Sequence, residues 1–189
     1  KLILGCLFLS FWFQTSYAQK PTLEIENRFY DAVREHNFDA AKKLILDHKF
    51  PANFEPNNKV TPLQMVIWAN NFDLVKTLVE NGANINSKIK SAVETAAEKG
   101  FLNILTYLVE KGGEVNYFST AALNDQYDCA KYLLLKGSVQ SIEDNNEGQF
   151  RFLLAAIKKA DFQSLNALKF DRNLINQNNC DGETPLIVA

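Results

Sequence analysis

The amino-acid sequence predicts an all-α fold, a solenoid of stacked helix-turn-helix units with short or reduced β-hairpin loops. Three observations carry this. Segments opening near residues 27, 61, 91, 116, 151 and 184 follow one another at spacings of 34, 30, 25, 35 and 33, and self-similarity at such a period marks stacked supersecondary units. Apolar residues recur at helical spacing, with Leu74, Val75, Leu78 and Val79 at i, i+1, i+4 and i+5, which predicts one buried helix face. Gly82, Gly112 and Gly137 stand at one shared offset beyond that second run, where a left-handed helix stop favours glycine.

The first helix of a unit is predicted from its cap. Thr61 can accept from a first-turn amide, and Pro62 occupies the position where a missing N–H costs nothing. Gln64 completes a capping box, and Ser91 with Glu94 has the same arrangement. Ala96-Ala97 and Ala121-Ala122 share an offset where small side chains allow close helix packing. The segment Asn37-Phe38-Asp39 recurs as Asn71-Phe72-Asp73 and more loosely as Gln126-Tyr127-Asp128, and the eleventh offset is Phe38, Phe72, Leu102, Tyr127 and Phe162, apolar in all five units. One such pair of helices cannot bury its own apolar face, so stability must come from stacking. Charged Glu24, Glu26, Arg28 and Asp31 near the start of the first unit predict a polar cap. The sixth unit contains only the opening of its first helix. That leaves Leu165 and Leu168 partly bare and leads us to expect further chain.

Asp181-Gly182-Glu183-Thr184-Pro185-Leu186, Thr61-Pro62-Leu63 and Asn81-Gly82-Ala83-Asn84-Ile85-Asn86 resemble the ankyrin repeat, over roughly Leu23 to Ala189. That unit is about 33 residues long, a β-turn followed by two antiparallel helices. The histidine usual after Thr-Pro-Leu is Gln64, Glu94 or Ile187 here, and the stretch Ser138 to Gln149 aligns poorly. The resemblance implies binding to a protein partner through hairpin tips and the concave face of the first helices. Its residues at the seventh and eighth offsets would be Arg34-Glu35, Trp68-Ala69, Glu98-Lys99, Leu123-Asn124 and Lys158-Lys159. Trp68 is the foremost of these, because exposed tryptophan is the commonest kind of interface anchor.

Residues 1–18 read as a secretory signal peptide: Lys1, an apolar run Leu2 to Phe13, then Ser16-Tyr17-Ala18 before a cut. An apolar run of about 12 residues falls short of the roughly 20 that cross a bilayer as a helix. Cys6 lies early in that run instead of after it, against a lipidation site. The expectation is a secreted or periplasmic protein with an ankyrin-repeat domain over 19–189, free of the membrane once cleaved. A leader retained as an anchor is the competing reading. Cleavage takes the formal charge from −2 to −3. There is no basic stripe for nucleic acid.

Catalytic and metal chemistry find little support. His36 and His48 lack a cysteine pair or carboxylate cluster with ligand spacing. No nucleophile–base signature occurs, and Gly148 stands alone, outside any phosphate loop. Glu143, Asp144 and Glu147 with Asn145-Asn146 lack the alternating ligands of a calcium loop and read as a solvated connection. Cys129 reads as a small core residue and Cys180 as an exposed turn residue, with no disulfide between them. The functional expectation is a monomeric, non-catalytic scaffold without cofactor. Its rival is the targeting half of a larger enzyme or toxin, with the catalytic part beyond Ala189.

Overall fold

Helix initiation follows the caps. Thr61 Oγ1 accepts from the Gln64 amide at 3.2 Å while Gln64 Oε1 accepts from the Thr61 amide at 3.0 Å, so two orphan donors are satisfied reciprocally. Ser91 caps differently from the expectation: its Oγ accepts from Val93 N at 3.2 Å, with no box through Glu94. The second helices gain caps from Asn37, Asn71 and Asp161, whose side chains accept from Ala40, Leu74 and Ser164. Phe101 and Gln126 hold that place elsewhere and make no side-chain cap.

A computed structural model of the chain describes residues 23–47, 50–54, 60–138, 146–168, 172–178, 182 and 184–185. In chain order the helices are α1 (23–34), α2 (Phe38–Leu46), α3 (Pro62–Trp68), α4 (Phe72–Glu80), α5 (Ala92–Lys99) and α6 (Leu102–Glu110). They continue with α7 (Phe118–Leu123), α8 (Tyr127–Leu135), α9 (Asn146–Lys158) and α10 (Phe162–Ala167), and a 3₁₀ turn covers Arg172–Asn176. No strand occurs among the described residues. Segment 1–18, read above as a leader, His48, Glu143 to Asn145 and Cys180 lie outside the described residues.

The chain divides into two compact units, Lys1–Asn84 and Ile85–Ala189. In the first, α2 packs along α4 and α3 folds back on α4. In the second, α5, α7 and α9 pack side by side, as do α6, α8 and α10. The core of the first unit is Phe29, Val33, Ala41, Ile45, Leu63, Val66, Ile67, Leu74, Val75 and Leu78. The second buries Ala96-Ala97 and Ala121-Ala122 between its first helices, and Ile104, Leu105, Leu108, Leu133 and Leu134 from its second helices. Val79, expected inside, is half-buried. Cys129 is buried, and burial pushes its thiol up to about 11.

One backbone device sets the period. The residue after the first-helix end lies in the left-handed region in every unit: His36 (φ 57), Asn70 (φ 51), Gly100 (φ 74), Asp125 (φ 58) and Ala160 (φ 50). The next residue's amide then returns to a carbonyl five residues back: Asn37 to Ala32, Asn71 to Val66, Phe101 to Ala96, Gln126 to Ala121 and Asp161 to Ala156. This is the helix-stop geometry that satisfies orphan carbonyls. The second helices end likewise at Gly82, Gly112 and Gly137, with φ of 87, 93 and 98. Asn53 and Asn86 brace successive turns inside their own units. Asn53 donates to Gly82 O at 2.9 Å and accepts from Asn84 N at 2.6 Å, and Asn86 does the same with Gly112 O (3.0 Å) and Glu114 N (3.1 Å).

Three expectations are corrected. Glu26 is not part of the polar cap: it is 3% exposed, one turn before Tyr30, and its Oε2 has no hydrogen-bond partner. Burial raises its carboxyl above the ordinary range. Arg28, Asp31, Glu35 and Lys43 do face solvent, beside a groove floored by Ala32 and Leu44. The fifth first-helix begins at Asn146, five residues ahead of the expected opening, so Glu147 is helical and bonds Arg151 Nη2 at 2.7 Å. Buried Gly148 lies against Ala122 and Ser119 of α7, which blurs the apolar period there. Finally, Leu165 is half-buried as expected, but Leu168 is buried, and Phe162 is an exposed apolar side chain at 73%. The following 3₁₀ turn brings Leu174 against Phe150 and Leu154.

Candidate functional site

The helix stops position the candidate residues. Arg34-Glu35, Trp68-Ala69, Glu98-Lys99, Leu123-Asn124 and Lys158-Lys159 all stand at the C-terminal end of a first helix, immediately before the left-handed residue. A side chain there leaves a helix whose apolar face is already committed to its neighbours. Arg34, Glu35, Lys99, Asn124, Lys158 and Lys159 are exposed, and Ala69, Glu98 and Leu123 are half-buried. Trp68 is 46% exposed. An indole with nearly half its surface in water keeps a sizeable apolar area for another surface.

In the first unit, Arg34 Nη1 pairs with Asp31 at 3.5 Å, both exposed. In the second unit the acids are bound by bases. Glu98 takes Lys90 on one oxygen and Lys99 on the other at 3.1 Å, and the Lys90 bond foremost holds its carboxyl below the ordinary range. Arg151 Nη1 reaches Leu123 O at 3.3 Å and Asp125 at 3.2 Å. Lys159 Nζ lies 5.1 Å from the centre of the Tyr127 ring. His36 sits edge-on to Phe38, 5.5 Å between rings. No group of His, Cys, Asp and Glu among the described residues is arranged to hold a metal ion. No described helix is long and apolar enough to cross a membrane.

Sequence reading missed one cluster. Asp161 accepts from Tyr127 Oη (2.7 Å), Lys131 Nζ (2.6 Å), Ser164 Oγ (2.9 Å) and Ser164 N (3.1 Å). The Lys131 bond foremost, then Tyr127, holds its carboxyl well below the usual range. Asp161 shares its offset with Asn37 and Asn71, and that alignment was the available signal. The cluster ties α8 to α10 through four bonds to one carboxylate, a structural role.

The helical pairs, their shared stops and their spacing find direct counterparts. A model described as ankyrin repeats (3 copies) matches residues 29–119. Residues 29–119 are thus similar to ankyrin repeats. An ankyrin repeat protein of Acanthamoeba polyphaga mimivirus is 29% identical over 126 residues, covering 64% of this chain and 33% of that protein. The Caenorhabditis elegans homolog of transient receptor potential cation channel subfamily A member 1 is 37% identical over 68 residues, 34% of this chain and 6% of that protein. The chain therefore spans a third or less of the length of these relatives. Among solved structures, the ankyrin repeat domain of human ASB11 superposes with a TM-score of 0.64 at 17% identity, covering 85% of this chain and 76% of that one. The fold is that of an ankyrin-repeat domain, and ankyrin repeats are in general protein–protein interaction modules.

Proposed function

We propose that the chain is an exported, non-catalytic scaffold that binds a protein partner through the concave face formed by its first-helix ends. The observation that carries this is the shared placement of five chemically varied pairs on helix ends, each with at least one exposed side chain and with half-exposed Trp68 among them. Rigid elements hold these differing side chains at a fixed register, as partner recognition requires. Residues of Arg34, Glu35, Trp68, Glu98, Lys99, Leu123, Asn124, Lys158 and Lys159 form the binding set. Export rests on the leader pattern at 1–18.

Replacing Trp68 with Ala tests the surface. Affinity for a partner isolated from the protein's own compartment should fall about thirtyfold, the loss of roughly 2 kcal/mol typical of an anchor, with thermal stability unchanged. Unaltered affinity removes Trp68 from the site. N-terminal sequencing of the mature protein should begin near Gln19, and an intact Lys1 contradicts export.

A further inference from the structure

We infer that Gln126 is a positioning residue: laid over Gly100, it holds the turn after α7 against the turn after α5, so that Glu98-Lys99 and Leu123-Asn124 present one contact surface. This rests on the proposed binding role of the first-helix ends. Gly100 departs from its counterparts. Its backbone does not require glycine, because His36, Asn70, Asp125 and Ala160 hold the same left-handed place with side chains (φ 57, 51, 58 and 50). A Cβ at residue 100 would instead overlap Gln126 Oε1 and lie 2.7 Å from its Cδ. The missing side chain leaves room for the close approach of the next turn.

Gln126 departs from its counterparts too. Its offset holds Asn37, Asn71 and Asp161 in three other units, and each of those short side chains caps its own second helix. Gln126 makes no such cap, although Asn or Asp there would satisfy an orphan amide at the start of α8. One methylene longer, it donates from Nε2 to Asn124 O at 2.8 Å and lays its carbonyl end over Gly100. This happens where support is most needed. The unit opens only 25 residues after the one before it, α7 has six residues, and neither α7 nor α8 has a side-chain cap. From the other side Arg151 steadies the same turn, through Leu123 O at 3.3 Å and Asp125 at 3.2 Å.

The test is Gln126→Asn in the full chain, read by thermal unfolding and amide hydrogen exchange without any partner. The shorter side chain can accept from the Cys129 amide, as Asn37 and Asn71 accept from Ala40 and Leu74, so the variant should unfold no earlier than wild type. It no longer reaches Gly100, so protection of the amides of residues 100, 101, 125 and 126 should fall about tenfold while α6 and α8 keep theirs. Gly100→Ala displaces Gln126 by another route. It should loosen the same turns in wild type and add little in the Gln126→Asn background. Unchanged protection at those four amides, or additive effects of the two substitutions, overturns the positioning role. So does a loss of protection spread evenly over α6 and α8, which is general destabilisation. No partner enters, so a negative result speaks against Gln126 alone, and a negative Trp68 result against the binding surface.

Discussion

In the unit ending at Asn84 the first-helix ends carry Arg34, Glu35 and Trp68, with Arg34 answered by Asp31; in the unit opening at Ile85 they carry Lys99, Asn124, Lys158 and Lys159 around acids that already have partners. Backbone geometry at these ends is the same, down to the left-handed residue and the returning amide. The fold is thus specified by the offsets before and after each pair, and the pairs themselves are left open to diverge. A second contrast runs through the interiors. Glu26 is buried and Asp161 half-buried, but Asp161 has four donors and Glu26 has an oxygen with none.

That contrast sets the largest expected effect. Asp161→Ala removes a cap and three side-chain bonds together and should cost about 3 kcal/mol by denaturant unfolding. Because the folded carboxyl titrates below its ordinary value, its contribution is present above about pH 4 and lost as pH falls through the lower folded value, so variant and wild type should converge in acid. A pH-independent difference would mean the cluster's charge is idle. Next comes Gly113→Ala. A methyl group there would sit 2.4 Å from Val93 Cγ2 and 2.8 Å from Leu108 O, an overpacking cost of about 2 kcal/mol. The first unit has Ala83, buried, at the same offset, so Ala83→Gly should cost about 1 kcal/mol or less.

Glu26→Gln should have the opposite sign. The raised carboxyl is best tolerated when protonated, so its ionised form weakens the fold as pH rises past its folded value. The variant should gain about 1 kcal/mol at pH 7, and the gain should shrink on titration toward about pH 4. A loss at pH 7 would show that the charge is answered. Smallest is Ala160→Gly, which relieves a left-handed alanine and should raise stability by about 0.5–1 kcal/mol in thermal unfolding.

The repeat period, the Thr61 box, the glycine stops and buried Cys129 were legible because each is fixed by local chemistry in a few neighbouring residues. The left-handed turn after the first helix was not, since His36, Asn70, Asp125 and Ala160 hold it without glycine; the shared hydrogen bond sets the conformation there. Glu26 misled because charge near the start of a unit reads as solvent-facing until its place one turn before Tyr30 is known. The start of α9 was lost where Asn146, Glu147, Gly148 and Gln149 interrupt the apolar period, although Gly148 and Gln149 are buried. At the candidate site, sequence gave the register of every pair, but the pairing of Glu98, Asp125 and Glu147 with their bases needed the structure.

The most direct test of the binding edge is amide hydrogen exchange on the full chain, with and without its isolated protein partner. The account expects slowed exchange at the first-helix ends and their turns, around residues 34–36, 68–70, 98–100, 123–125 and 158–160, with the second helices unchanged. Protection confined to α4, α6 and α8, with those turns exchanging as freely as before, would contradict it.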